Sequence, residues 1–267
     1  MVWAGIGGRG LGSVWTLRGN GRVETKGEIV YNRCMDDAQR EKVRRSSLFQ
    51  NVKPEGMERV YALGVLRLVE EGGFYFMQGD AAKHAYVLLN GRVKMIQNTP
   101  NGQQITLRMM TVGQTYGGIA MLSPDSGYPA SAQAVEDSVA MAWSTADLRG
   151  LAELDASVSV NTMQLMHGYI LELQERQKSL VSERVERRVA RILLKLAAES
   201  GREVEEGVLI DMHLTRQDVA EMSGTTLFTV SRTLAEWERD GFLKIGRERV
   251  VIRNPHALVR IADDLVK

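Results

Sequence analysis

Hydroxyl, amide and guanidinium side chains are concentrated in residues 214–234, LTRQDVAEMSGTTLFTVSRTL. Side chains of these types bind the phosphate oxygens and base edges of double-stranded DNA. Arg232 is the candidate for a guanine edge or a phosphate, while Arg216 and Gln217 are expected to anchor the DNA backbone. The candidate DNA contacts are Thr215, Arg216, Gln217, Thr225, Thr226, Leu227, Phe228, Thr229, Ser231, Arg232 and Arg247.

Two members of this set, Leu227 and Phe228, cannot form side-chain hydrogen bonds. They lie in the leading turn of the second predicted helix, which is the part of such a helix that contacts bases. We therefore expect Phe228 to pack on a thymine methyl group, giving an apolar contact in place of a hydrogen bond.

The same stretch predicts two short helices with a tight turn between them. Thr215 is a good N-cap, and Asp218 three residues later partly mimics a capping box. Gly224 marks the turn, and Thr225 or Thr226 caps the second helix. The buried stripe of the second helix, spaced i, i+4 and i+7, is predicted to be Val230, Leu234 and Trp237.

The segment that follows, residues 242–254, FLKIGRERVVIRN, predicts a two-stranded wing. Its cations, which suit DNA phosphates beside a groove, are Lys244, Arg247, Arg249 and Arg253. A helical pair with glycine in the turn also occurs in plain helical bundles. A winged helix that makes protein contacts only is therefore the alternative reading.

Short apolar runs broken by turn residues precede this region. The runs are VLRLVE, GFYFMQG, HAYVLLNG, RVKMIQN, QQITLRMM and SVAMAWS. A spacing of about 8–12 residues between strands favours an antiparallel sandwich or roll. Asn90-Gly91 and Asn101-Gly102 predict tight hairpins, because glycine adopts a positive φ without steric cost.

A long helix is predicted from about Val160 to Leu196, with a break or bend near Ser182. Its apolar or near-neutral positions alternate in steps of three and four, which is typical of a two-helix seam. The seam residues are Met163, Met166, Ile170, Leu173, Gln177 and Leu180. The pattern predicts a homodimer, and the alternative is a helix packed only on its own roll.

Composition limits the remaining functions. The single cysteine among 267 residues excludes a disulfide framework or a four-cysteine cluster within one chain and indicates a reducing cytoplasm. No apolar run approaches the roughly 20 residues of a membrane helix. No HExxH, P-loop or spaced nucleophile and base is present, so we expect no enzyme. Residues 1–34 are Gly-rich and basic without periodicity, which predicts a disordered extension.

The order of these parts resembles the cyclic-AMP receptor protein/FNR (Crp/Fnr) family of bacterial transcription regulators. The matching stretches are MQGDAAKHAYVLLNGRVKM, LRMMTVGQTYGGIAML, YPASAQAVEDS, RVERRVARILLKLA and LTRQDVAEMSGTTLFTVSRTL. The resemblance implies an α+β fold with a β-roll effector domain over 35–153, a dimerisation helix over 154–183 and a winged helix-turn-helix over 184–267. It also implies a homodimer that binds DNA and contacts RNA polymerase.

The resemblance places an effector pocket where this sequence departs from the family. Gly118 stands at the glutamate position, and Tyr128 and Pro129 stand at the arginine and serine positions of the cyclic-AMP phosphate site. The tyrosine lacks a charge-assisted bond worth roughly 1.5–3 kcal/mol, so we expect a ligand other than cyclic AMP, or none. The corresponding pocket residues are Gly117, Gly118, Ile119, Ala120, Tyr128, Pro129, Ala130, Ser131, Leu173 and Gln174.

Two further readings follow from the resemblance. One cysteine excludes the four-cysteine oxygen sensor of the FNR branch. Haem, which some relatives use to sense nitric oxide, would need an axial ligand, for which His167 is the candidate. A sensor module that acts through protein contacts without DNA is the remaining alternative.

Overall fold

The computed structural model describes residues 21–24, 28–31, 35–99, 104–118, 122, 126–246 and 249–263. It has the predicted α+β architecture, in which an antiparallel roll is followed by a long helix and a C-terminal helical domain with its own sheet. No helix among these described ranges is both long enough and apolar enough to span a membrane.

The first ten strands form two antiparallel sheets. They are β1 (Gly21–Glu24), β2 (Glu28–Tyr31), β3 (Val65–Val69), β4 (Phe74–Phe76), β5 (His84–Asn90), β6 (Val93–Asn98), β7 (Gln104–Met110), β8 (Thr115–Tyr116), β9 (Ser131–Ala134) and β10 (Ser138–Ser144). One sheet has the order β1-β2-β3-β10-β5-β8 and the other β4-β9-β6-β7. All six predicted runs are strands. Two further strands were not predicted. Strand β8 has only two residues and gives no alternating pattern, and β9, SAQA, contains alanines of weak β-propensity.

Strand β5 is buried on both faces, which explains why its sequence is continuously apolar. Tyr86 and Leu88 face the second sheet, while Val87 and Leu89 face the helices on the other side. Those helices are α1 (Asp37–Arg45), α2 (Pro54–Leu63) and α3 (Thr145–Leu154). The buried Trp143 of β10 joins this sheet to helix α2, because its Nε1 donates to the backbone carbonyl of Val60 at 2.8 Å.

The hairpin between β5 and β6 turns at Asn90-Gly91, as predicted. Gly91 has a φ of +78°, and a Cβ at this position would lie 2.6 Å from the carbonyl oxygen of Asp137. Both the backbone angle and the close approach require glycine. The second predicted Asn-Gly turn, at Asn101-Gly102, lies outside the described residues.

The expectation of a disordered extension over residues 1–34 is wrong for two segments. Strands β1 and β2 pair with each other, and β2 pairs with β3 so that Tyr31 lies opposite Leu66. The physical reason is that β3 offers an unpaired sheet edge, which the β-branched and aromatic residues of EIVY suit as a partner strand. The rest of residues 1–34 lies outside the described part of the chain.

The long helix bends where the sequence predicts it. It consists of α4 (Ser157–Ser182) and α5 (Val185–Ser200), and Glu183 lies between them. The Glu183 carboxylate accepts hydrogen bonds from Ser179 Oγ at 2.7 Å and from Arg191 Nη2 at 2.8 Å. The backbone carbonyl of Glu183 accepts a hydrogen bond from Arg188 Nη1 at 2.6 Å. These bonds hold the angle between the two helices.

The C-terminal domain packs three helices and a four-stranded sheet against α5. Its elements are β11 (Gly201–Val204), β12 (Gly207–Ile210), α6 (Arg216–Ser223), α7 (Leu227–Arg239), β13 (Leu243–Gly246), β14 (Arg249–Ile252) and α8 (Pro255–Ala262), and the sheet order is β11-β12-β14-β13. The predicted two-stranded wing, β13 and β14, is therefore half of a larger sheet. Strand β12 ends at Ile210 and pairs with the unpredicted β11.

Candidate nucleic-acid interface and roll cavity

The first helix of the predicted pair, α6, begins as expected. Thr215 accepts from the backbone N–H of Asp218 at 3.0 Å, and the Asp218 carboxylate accepts from the backbone N–H of Thr215 at 3.0 Å, so the capping box is complete. Gly224 ends the helix with a φ of +62° and makes the turn. Arg216 is exposed at the helix start, and the exposed Gln217 donates to Glu221 at 2.8 Å.

The second helix, α7, is capped by Thr226 and not by Thr225. Thr226 Oγ1 accepts from the backbone N–H of Thr229 at 3.2 Å. The predicted stripe is buried in the core of the domain, and its members are Val230, Leu234 and Trp237. Leu227 is 47% exposed and Phe228 is 75% exposed, so both project from the leading turn.

Arg232 is exposed on the same side of α7, with the partly exposed Ser231 beside it. An exposed guanidinium, hydroxyl groups and an unpartnered aromatic ring on one helix face supply both polar and apolar contacts for a DNA groove. Of the candidate set, Thr215, Thr225, Thr229 and Ser231 are partly exposed, and the exposed members are Arg216, Gln217, Thr226, Leu227, Phe228 and Arg232. Arg247 lies outside the described residues.

The wing does not present all its predicted cations to a ligand. Lys244 Nζ donates to both carboxylate oxygens of Glu206, at 2.7 and 2.8 Å. Arg253 Nη2 also donates to Glu206, at 3.3 Å. Glu206 comes from the turn between β11 and β12, the hairpin that the sequence did not predict, and this is why the pairing was missed.

The first helix is also bound to the roll. Glu221 Oε2 accepts from the backbone N–H of Thr106 at 3.0 Å and from its hydroxyl at 2.6 Å. Arg176 of α4 donates to the carbonyls of Leu107 and Glu221, at 3.2 and 3.1 Å. Three parts of the chain, β7, α4 and α6, therefore meet at one polar cluster.

A cavity of about 210 Å³ lies between the roll and α4. Five of the predicted pocket residues line it, namely Gly117, Gly118, Tyr128, Pro129 and Ala130. Three other predicted pocket residues do not line this cavity. Ser131 is buried elsewhere and accepts from the Gln78 backbone at 2.8 Å, whereas Leu173 and Gln174 lie further along α4 and do not line the cavity. Ile119 and Ala120 lie outside the described residues.

Tyr128 forms one wall of this cavity. Its ring stacks on Phe76, with 3.7 Å between ring centroids and 17° between planes. Its hydroxyl donates to the His84 carbonyl at 2.7 Å, so it is bound to the strand β5 backbone. Burial raises the pKa of the Tyr128 phenol, against the opposing effect of these backbone hydrogen bonds. The ring therefore lines the cavity as a neutral surface.

The cation among the described lining residues, Arg108, was not among the predicted pocket residues. Arg108 of β7 lines the cavity, and Arg108 Nη1 lies 3.4 Å from Glu172 Oε2 on α4. Arg108 thus places a positive charge at this cavity from β7, at a position other than that of Tyr128. The available signal was a lone arginine among apolar residues in ITLRMM. The other lining residues that were not predicted are Phe76, Met95, Leu107, Met110, Thr115, Tyr116, Leu165, Met166 and Tyr169.

His167, the haem-ligand candidate, does not reach this cavity. It is exposed on α4. Among the described residues the lining contains no histidine, and no group of three or more His, Cys, Asp or Glu side chains could hold a metal ion. At about 210 Å³ the cavity is also smaller than the roughly 300–1,000 Å³ typical of drug-sized ligand sites. The described part of the cavity therefore does not fit a haem.

Two domain families match this chain. The cyclic nucleotide-binding domain matches residues 66–155, and the Crp-like helix-turn-helix domain matches residues 187–261. The chain is 28% identical over 217 residues to the cyclic AMP receptor protein of Thermus thermophilus. The aligned region covers 81% of this chain and 97% of that protein. It is 21% identical over 203 residues to the anaerobic regulatory protein of Bacillus subtilis, with 76% and 85% covered.

Solved structures show the same fold. FixK2 from Bradyrhizobium japonicum has a TM-score of 0.66 at 20% identity, covering 74% of this chain and 96% of that chain. The regulator CLP from Xanthomonas campestris has a TM-score of 0.64 at 19% identity, covering 75% and 99%. With both domain families matched in the order that the fold shows, the chain belongs to the Crp/Fnr family of DNA-binding transcription regulators.

Proposed function

We propose that this regulator acts as a homodimer on a near-palindromic DNA site and that its roll responds to a ligand other than cyclic AMP. The observation that carries the proposal is the surface of α7, which exposes Phe228 and Arg232 together. Two such helices related by a two-fold axis would enter successive major grooves about 34 Å apart.

The dimer is supported by the exposed face of α4. Apolar side chains at the predicted seam are solvent-exposed in the single chain, and those above 40% exposure include Met163, Ile170, Leu173 and Leu180. An exposed apolar stripe from Met163 to Leu180 on one helix is suited to a two-helix interface. The partly buried Met166 faces the roll cavity instead, so the seam and the cavity share one helix.

Light scattering during size-exclusion chromatography tests the dimer. The expected mass is twice that of one chain for the unaltered protein and one chain for the double variant Ile170→Glu, Leu173→Glu. The variant Glu153→Lys, on α3 outside the seam, is the control. A monomer at micromolar concentration for the unaltered protein would contradict the proposal.

DNA binding is tested by selecting sites from a library of random duplexes with the purified chain and then measuring mobility shifts. The expected product is a site with two inverted half-sites one helical turn apart. Binding without any sequence enrichment, at low and moderate salt, would favour the alternative of a sensor module that acts through protein contacts.

The ligand claim rests on the cavity wall. A cyclic nucleotide would need donors for its phosphate here. The Tyr128 hydroxyl already donates to the His84 carbonyl, and Pro129 has no backbone N–H. Isothermal calorimetry with cyclic AMP and cyclic GMP at millimolar concentration is therefore expected to show no saturable heat. Saturable heat with either would contradict this part of the proposal.

By the family resemblance we also propose contact with RNA polymerase and a cytoplasmic location.

A further inference from the structure

Two buried polar atoms at the roll cavity have no hydrogen-bond partner among the residues that the structure describes. They are Nε of Arg108 on β7 and Oγ1 of Thr115 on β8. Both residues line the same cavity. Buried polar atoms in native proteins are nearly always hydrogen-bonded, so an unpartnered pair facing one space indicates a missing partner that accepts hydrogen bonds.

The charge at this place favours an anionic partner. Arg108 is paired with Glu172 through Nη1 at 3.4 Å. The same carboxylate accepts a hydrogen bond from Lys195 of α5, so one acid is shared by two cations. Arg108 therefore retains positive charge toward the cavity, and its Nε is available to a bound carboxylate, which forms charge-assisted hydrogen bonds with guanidinium groups.

The rest of the cavity is apolar and partly flat. The stacked rings of Phe76 and Tyr128 form one wall, and Leu165 and Met166 of α4 face them. A volume of about 210 Å³ limits the ligand to a small molecule. Aromatic walls and thioether groups favour a planar ring over an aliphatic chain, because rings gain specific stacking and sulfur contacts.

We propose that the cavity binds a small aromatic carboxylate, with the carboxylate on Arg108 and Thr115 and the ring against Phe76, Tyr128 and Met166. This inference rests on the proposed function only in taking the roll cavity as the effector site. The ligand carboxylate competes with Glu172 for Arg108. Because Glu172 lies on α4, ligand binding changes a contact between the roll and that helix. All the side chains that the proposed ligand contacts already line the cavity.

The direct test is calorimetry of the full chain with 3-phenylpropanoate and with its matched neutral analogue, 3-phenylpropanamide. The expected result is saturable heat for the carboxylate and binding at least about tenfold weaker for the amide, because the amide cannot form the charge-assisted bond. No saturation by the carboxylate, or equal binding of both compounds, would overturn the proposal.

Variants then locate the site. Arg108→Gln and Thr115→Val are each expected to weaken carboxylate binding, Arg108→Gln by about tenfold or more, whereas amide binding stays unchanged. Arg92→Gln is the control, because Arg92 pairs with Glu136 at 3.3 Å and does not line the cavity. Carboxylate binding that survives both variants would overturn the assignment.

Arg108→Gln also removes the pair with Glu172, so a second kind of variant is needed. Met166→Trp fills the cavity from α4 and leaves both Arg108 and Glu172 unsubstituted. It is expected to abolish carboxylate binding in a chain that still melts cooperatively. Retained binding in this variant would place the ligand elsewhere. Cyclic AMP binding would contradict the proposed function. Absence of binding by both 3-phenylpropanoate and 3-phenylpropanamide would contradict only this inference.

Discussion

Glu221 and Thr106 join the DNA-binding domain to the roll. The Glu221 carboxylate accepts two hydrogen bonds from Thr106, one from the backbone N–H at 3.0 Å and one from the hydroxyl at 2.6 Å. Thr106 is fully buried, and Arg176 donates to the carbonyl on Glu221 itself. Helix α6, which precedes the helix proposed to contact DNA, is thereby held against strand β7 of the roll.

Glu221→Ala is expected to release this contact. The substitution leaves the N–H and hydroxyl of the buried Thr106 without an acceptor, which costs about 1–3 kcal/mol. Chemical denaturation should show the loss, and hydrogen exchange should show faster exchange in α6. Glu205→Ala, in the exposed β11–β12 turn, is the matched control. Equal stability of the two variants would show that the contact carries no net energy.

Arg232→Ala should weaken specific DNA binding by about 1–3 kcal/mol and relax the preference at one base pair. The reason is the loss of a bidentate donor to a base edge. Competition mobility shifts with single-base substitutions measure both effects. Arg239→Ala, at the exposed end of the same helix, provides the comparison. An unchanged site preference in Arg232→Ala would remove the assigned role of this arginine.

Phe228 is expected to read a thymine methyl group. Replacing thymine by uracil at each position of the selected site removes only that methyl, and one such change should cost about 0.8 kcal/mol of burial. In Phe228→Ala the same change should have no effect. If uracil weakens both proteins equally, or neither, the ring does not contact a methyl.

The joint at Glu183 predicts a pH dependence. Burial alone would raise the pKa of Glu183, but hydrogen bonds from Ser179 and Arg191 outweigh it and the pKa is lowered. A lowered folded pKa contributes stability that is present above the ordinary value of 4.5 and is lost as the pH falls through the folded value. This carboxylate is only 7% exposed, so solvent screens it little.

Glu183→Gln should therefore lower the melting temperature at neutral pH, and the difference from the unaltered chain should shrink as the pH falls below 4.5. Thermal unfolding by circular dichroism across this range measures both trends. Glu205→Gln should change the curve little at any pH. A deficit for Glu183→Gln that grows on acidification would contradict the assigned direction of the pKa.

Local interactions were predictable from the sequence because they depend on neighbouring residues. The capping box of Thr215 and Asp218 spans four consecutive positions, and the Gly224 turn requires only a positive φ. The stripe of α7 follows from helical period, as the roll strands follow from apolar runs between turn residues. The assignment of Thr226 over Thr225 as the cap needed the backbone itself, because both residues have suitable hydroxyls.

Contacts between distant segments were not predictable in this way. Glu206 binds Lys244 and Arg253 across the C-terminal sheet, and EIVY pairs with the edge of β3 only because that edge is free. The cavity prediction followed the family pattern to Tyr128 and Pro129. That prediction did not include Arg108. The direction of a strand side chain depends on the register of the strand and on the packing of the sheet, which one stretch of sequence does not determine.

The sequence by itself determined most parts of this protein: six of the roll strands, the long helix with its bend, the helix pair and the buried stripe of its second helix. Tertiary structure alone decided how those parts are joined. It placed Glu221 on Thr106, Arg108 at the cavity beside Glu172, and Leu173 away from the cavity. The physical reason is that local structure depends on period and capping, whereas these contacts depend on packing between segments far apart in the chain.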